Sequence, residues 1–167
     1  MSKLLVIRGN SGSGKSTIAE NIKESSEDAH IVAQDDYVKY TIPNGTVEQE
    51  HERKTRIFNA VHKALGSHAL VIMEGVFDSR RYREYLDELH RTYSENSTFV
   101  YLDVPFEETL SRHQQREKRN EFGQDAMAGW YIAGDALGYE SEIHINTETT
   151  AKEATLAILK VLRDGNV

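Results

Sequence analysis

The sequence predicts a three-layer α/β fold, a parallel sheet covered by helices on both faces. Three observations carry this. Short apolar runs alternate with helical patterns along the chain. Each run is too short for a helix and ends in glycine or polar residues. The 167 residues suit one core, so 1–167 reads as a single domain. The first run covers residues 3–8 and is closed by Gly9. Residues 14–26 read as a helix, with Ile18 and Ile22 four apart on one face. Residues 30–34 form a second strand, closed by Asp35 and Asp36, and Pro43, Asn44 and Gly45 make a turn cluster. From Val47 to Leu65 the residues Ile57, Phe58, Val61, Ala64 and Leu65 recur at three and four, a helix whose Gly66 suits a left-handed C-cap. Residues 69–73 are a continuous apolar strand entering Glu74 and Gly75. Tyr82, Tyr85, Leu86, Leu89 and Tyr93 mark the next helix, and residues 98–102 a fourth strand. Pro105 opens a helix at its favoured first position, with Phe106, Thr109, Leu110 and His113 on one stripe. After Arg116 the pattern dissolves until a weak fifth strand at 142–145, and Ala151, Ala154, Thr155, Ile158, Leu159 and Leu162 close the chain as an amphipathic helix. Open parallel sheets bind ligands at the carboxyl ends of their strands.

Composition removes several classes of function. The chain has no cysteine, which excludes disulfide frameworks, thiolate metal sites and cysteine nucleophiles. No apolar run approaches the roughly 20 residues of a membrane span, and no basic-then-apolar leader is visible, so a soluble cytoplasmic protein with no membrane partner is expected. With 20 basic and 27 acidic residues the net charge is −7, which speaks against a general nucleic-acid binder. A small phosphorylated ligand remains compatible with a locally basic site.

The residues Gly9-Asn10-Ser11-Gly12-Ser13-Gly14-Lys15-Ser16 match GxxxxGK[ST] at every fixed position, between a strand and a helix. Glycines let successive backbone N–H groups turn inward around phosphate oxygens, and the following helix directs its positive end at the same anion. Asn10, Ser11, Gly12, Ser13, Gly14, Lys15, Ser16 and Thr17 are therefore the expected nucleotide cradle. Lys15 is expected on the β- and γ-phosphates and Ser16 on magnesium, with Thr17 near the α-phosphate. ATP and Mg2+ are the implied cofactors.

The next strand ends narrow the class. No DxxG follows the third strand and no NKxD follows the fourth, so GTPase signatures are missing. The third strand ends in Met73-Glu74-Gly75 and the second in Gln34-Asp35-Asp36-Tyr37. On these residues the sequence resembles small P-loop kinases of the nucleoside and metabolite type. Uridine kinases end the same strands similarly, and chloramphenicol phosphotransferase, zeta-toxin-like and adenylyl-sulfate kinases also place an Asp after the second strand. Phe106-Glu107-Glu108-Thr109-Leu110, Arg112-His113, Glu121-Phe122-Gly123 and Trp130-Tyr131 are similar to a group of bacterial kinases of the AAA_33 type.

The resemblance implies a P-loop NTPase fold with five parallel strands in the order 2-3-1-4-5 and a small lid at about 112–123. It implies that Asp35 accepts the proton of an acceptor hydroxyl, with Asp36 the neighbouring alternative. Glu74 stands where an acid would hold magnesium through water or help to position the acceptor, with Ser16 the other metal residue. Arg112 and Arg116, four apart, would face the transferring phosphoryl group if their helix continues, with Lys118 and Arg119 as secondary cations. A solvated helix end is the plainer reading of these four. His113 reads as a packed core histidine. Tyr37, Tyr40, Trp130 and Tyr131 offer aromatic faces, and Trp130 either reports lid closure or anchors an irregular segment. Arg80, Arg81 and Arg83 suit either an anionic acceptor or a solvated helix start. The leading expectation is an ATP- and magnesium-dependent kinase acting on a hydroxyl of a nucleoside, sugar-like metabolite or antibiotic. The alternatives are a nucleotide-binding regulator or weak NTPase, and transfer to a polynucleotide end, which the acidic charge disfavours.

Overall fold

The protein is described from a computed structural model that covers residues 2–37, 46–115 and 120–164. Five parallel strands form one sheet: β1 (Lys3–Gly9), β2 (Ala29–Ala33), β3 (Leu70–Gly75), β4 (Ser97–Asp103) and β5 (Ile143–Asn146), in the spatial order β2-β3-β1-β4-β5. That is the expected order. The helices are α1 (Lys15–Glu24), α2 (Gln34–Tyr37), α3 (Val47–Leu65), α4 (Ser79–Tyr93), α5 (Phe106–Gln114), α6 (Gln124–Trp130) and α7 (Ala151–Asp164), with a 3-10 turn at Ser94–Asn96.

Alternation along the strands makes the layers. Leu4 and Val6 of β1 face one way with Val71, Met73 and Phe99, and pack on Ile57 and Val61 of α3 and Tyr82 and Leu86 of α4. Leu5 and Ile7 face the other way with Ile72, Val100 and Leu102, against Ile18 and Ile22 of α1 and Ala154 and Ile158 of α7. β1, β3 and most of β4 are buried on both faces, which is why they read as unbroken apolar runs rather than alternating ones. Register then sets the functional edge. Ile7 and Ala33 both stand opposite Glu74, so β1 and β2 leave the sheet on either side of that carboxylate.

Several local expectations are corrected. Gly66 is right-handed, at φ −77°, because α3 ends in a tightened turn: Gly66 N–H donates to Lys63 O, and Ser67 and His68 N–H both donate to Ala64 O. Pro105 is the N-cap of α5 rather than its first residue, and its carbonyl accepts from Thr109 N–H. Helices α2 and α6 appear where no helix was expected. The start of α3 carries a capping box, Thr46 with Gln49, that also lay unread. The turn cluster at 43–45, Tyr40, Arg116, Lys118 and Arg119 lie outside the described residues. Among the described residues no helix is long and apolar enough to cross a membrane.

Candidate active site

The loop between β1 and α1 is built by its glycines. Gly12 has φ 82°, and a Cβ there would stand 2.5 Å from Thr109 O, so only glycine lets the loop lie against α5. Gly14 has φ 102° and serves as the N-cap of α1 without a side-chain cap bond, which leaves the first amides of that helix open to an anion. Asn10 pins the base of the loop: its Nδ2 donates to Ile132 O at 2.7 Å and its Oδ1 accepts from Ile132 N–H at 3.0 Å. The buried Lys15 folds over the loop, with Nζ donating to Asn10 O at 2.9 Å.

Ser16 Oγ donates to Glu74 Oε1 at 3.1 Å. Glu74 is buried at the end of β3, so its charge is held by the sheet and aimed at the head of α1. A hydroxyl and a carboxylate converging in this way fit magnesium, which keeps water and phosphate oxygens as its remaining ligands. Among the described residues no group of three or more histidines and carboxylates forms a protein-only metal cage.

A groove of about 590 Å3 runs from the loop toward the β5–α7 turn. Ile18, Leu102, Val104 and Ile145 give it apolar walls, and Arg112, Asn146 and Thr149 polar ones. Such a slot suits a flat, polar-edged group attached to phosphates.

The other expected residues divide. Asp35 sits half-buried on α2, two residues past the register position opposite Glu74, whereas Asp36 and Tyr37 are exposed. Arg112 lines the groove, its Nε donating to Glu108 Oε1 at 2.7 Å and a terminal nitrogen to Ser13 O at 3.0 Å. Helix α5 ends at Gln114 with Gln115 as its C-cap, and Arg116, the expected partner of Arg112, lies outside the described residues. The three arginines of α4 are engaged: Arg80 with Asp78 at 3.4 Å, Arg81 with Glu50 at 2.8 Å, and Arg83 with Leu137 O at 2.7 Å. His113 is the buried histidine expected, its Nε2 2.9 Å from Phe122 O and its ring stacked on Phe122. Trp130 is 36 % exposed and its ring meets that of Phe122 in a T-shaped contact. Tyr131 donates to Val104 O.

Sequence reasoning missed the network below the loop. Arg8, fully buried, donates to Asp135 Oδ2 at 2.9 Å, Asp135 O at 2.8 Å, Glu142 Oε1 at 3.1 Å and Phe77 O at 3.1 Å. Asp135 also takes the N–H and hydroxyl of Ser79, tying the chain before the loop to the head of α4. Phe77, just beyond Glu74, is buried at φ 30°, a left-handed conformation unusual for a bulky residue. The one signal for this network was an arginine closing an apolar strand.

Residues 4–129 match the family model AAA_33, described as an AAA domain. The chain belongs to the AAA_33 family. This AAA_33 protein shares its fold with APS kinase CysC of Mycobacterium tuberculosis, solved with AMPPNP and APS: TM-score 0.69 and 16 % identity, over 97 % of this chain and 98 % of that one. A gluconokinase from Sinorhizobium meliloti 1021 aligns with TM-score 0.66 and 17 % identity, over 97 % and 94 % of the two chains. Shikimate kinase from Acinetobacter baumannii, solved with shikimate, aligns with TM-score 0.63 and 20 % identity, over 98 % and 94 %. Among curated protein sequences none matches the AAA_33 protein. The fold is therefore that of the P-loop kinases.

Proposed function

We propose that the chain is an ATP-dependent, magnesium-requiring kinase that transfers the γ-phosphoryl group to a hydroxyl of a small molecule. The carrying observation is the 3.1 Å contact of Ser16 with Glu74 at the head of α1, beside Lys15 and flanked by the strand end that bears Asp35. Structural neighbours named as gluconokinase, shikimate kinase and APS kinase support the reading. A nucleoside, a sugar-like metabolite or an antibiotic fits as acceptor, with ATP drawn from the cytoplasm.

In this reading the loop from Asn10 to Thr17 and the open amides of α1 hold the phosphates, and the groove takes the base. Lys15 moves from Asn10 O onto the phosphate oxygens. Magnesium, held by Ser16 and Glu74, would neutralise charge on the phosphate oxygens. Asp35 orients the acceptor hydroxyl and takes its proton as the oxygen bonds to the γ-phosphorus, while the bond to the bridging oxygen breaks and ADP leaves. Arg112 braces the loop through Ser13 O and adds positive charge beside it. Arg116 and the remainder of a lid at about 112–123 belong to the proposal, although 116–119 lie outside the described residues.

The test is ADP release from magnesium-ATP against a panel of nucleosides, sugars and aminoglycosides. Acceptor-dependent release above basal hydrolysis is expected for at least one class. Tight nucleotide binding with no stimulation by any of them would replace the kinase by a nucleotide-binding regulator.

A further inference from the structure

Gln34 opens α2 just past the end of β2, directly before Asp35, and both ends of its amide are used. Its Oε1 accepts from Val76 N–H at 2.8 Å, and its Nε2 donates to the Tyr82 hydroxyl oxygen at 3.1 Å. Because a backbone N–H can only donate, the contact with Val76 fixes which end of the amide is oxygen. The paired register of β2 with β3 stops at Ala33 opposite Glu74. Past that point no ladder bond joins the strand end leading to Asp35 with the one leaving Glu74. The Gln34 side chain supplies the next rung.

The surroundings hold this rung in place. A Cβ on Gly75 would stand 2.6 Å from Gln34 Cβ, 2.7 Å from Gln34 Oε1 and 2.7 Å from Phe77 Cε2, so any larger residue there would push the amide aside. The anchor, Tyr82, is 3 % exposed. Its ring lies against the edge of Phe77 and under two cations, Lys54 at 5.3 Å and Arg81 at 5.9 Å, which share Glu50 between them. Burial pushes the Tyr82 phenol up, so it stays a neutral hydroxyl whose oxygen accepts the hydrogen bond from the Gln34 amide N–H.

Resting on the kinase reading above, we propose that Gln34 is a positioning residue: it sets the spacing of Asp35 and Glu74 across the strand ends, with Tyr82 as its anchor. Two carboxylates near one another repel, and a short helix of four residues has little stiffness of its own. The rung opposes that spread. Its loss is felt in the chemical step and not in nucleotide binding, because the phosphate loop is carried by β1 and α1.

The test compares Gln34→Leu, Gln34→Glu, Tyr82→Phe and Asp35→Asn in ADP release from magnesium-ATP. The best acceptor of the panel is used, or water if none stimulates. Gln34→Leu is expected to lower kcat by roughly 10- to 100-fold, the effect of a misplaced reacting group, with KM for ATP unchanged. Gln34→Glu can accept from both Val76 N–H and the Tyr82 hydroxyl, and is expected to recover part of kcat, the added carboxylate beside Asp35 and Glu74 limiting the gain. Tyr82→Phe should fall between them, and it decides the matter if Gln34→Leu does not fold. Normal kcat in Gln34→Leu or Tyr82→Phe beside an impaired Asp35→Asn overturns the positioning role and leaves the kinase reading standing. Absence of rescue by Gln34→Glu, or a KM for ATP that rises in step with the loss of kcat, also overturns it. Normal turnover in Asp35→Asn removes the base and the positioning role together.

Discussion

Arg8 offers the sharpest test of what holds the phosphate loop in place. Its guanidinium is fully buried, in two ion pairs and in hydrogen bonds to two backbone carbonyls. Arg8→Met keeps much of the volume and removes the charge, leaving Asp135 and Glu142 as carboxylates with no cation on that side. Glu142 retains the N–H groups of Leu137 and Gly138, and Asp135 retains Ser79, so neither is wholly stranded. Breaking one side of a buried pair costs roughly 3–5 kcal/mol. For a chain of this size that is a fall in Tm of about 6–20 °C, taking ~2–4 °C per kcal/mol. Urea unfolding followed by circular dichroism measures it directly. Adding Glu142→Gln to Arg8→Met is expected to recover about 1 kcal/mol or more, since the partner is then neutral. A loss below about 1 kcal/mol in Arg8→Met, with an unchanged urea slope, would refute the reasoning. The buried cluster would then contribute specificity of packing rather than stability.

Magnesium-ATP at a hundredfold excess over its Kd is expected to stabilise the protein by roughly 2.7 kcal/mol, and Lys15→Ala to remove most of the thermal shift; an equal, saturable shift in that variant would place the nucleotide elsewhere. Asp35→Asn is expected to lower turnover by roughly 10²–10⁴-fold with ATP affinity little changed, while Asp36→Asn, at an exposed position, has a much smaller effect. Steady-state kinetics with isothermal titration separates the two, and the reverse ranking would transfer the role to Asp36. The hydrogen bond from Arg81 holds the Glu50 carboxyl below its ordinary 4.5. A carboxyl depressed in the folded state stabilises it above that ordinary value, and the contribution is lost as pH falls through the folded pKa. Glu50→Gln should therefore be less stable than the parent near neutral pH and converge with it in acid; urea midpoints across the range would show parallel curves if the pair contributes nothing.

What could be read in advance was whatever local chemistry dictates. The phosphate loop is legible because glycine spacing, Lys15 and Ser16 are contiguous, and the strand ends bearing Asp35 and Glu74 because polar residues close apolar runs. The partners of Arg8 could not be read: they lie at 135 and 142, in a stretch with no periodicity, and are joined to it only by the fold. Helix α6 escaped for a related reason. Met127 is its buried residue and Gly129 interrupts it, so no apolar stripe announces it. Gln34 was visible as part of a motif, yet its two bonds run to residues 42 and 48 positions away. The Gly66 cap failed because glycine permits the left-handed turn without requiring it.

The place of β1 in the middle of the sheet has a consequence for how the chain comes together. Its neighbours are β3 and β4, so Lys3 must find Leu70 and Leu4 must find Ser97, with whole helices between. Neither pairing can begin from a local hairpin, and each closes a long loop before any contact repays the lost freedom. On a ribosome β1 would emerge before either of the strands that pair with it. Helices α1 and α3 follow to cover its faces, but its edges stay unpaired until β3 and then β4 have been made. The strand that launches the phosphate loop thus precedes both of the strands that pair with it, and the growing chain depends on keeping the open edges of Leu4 to Ile7 out of aggregates in the interval.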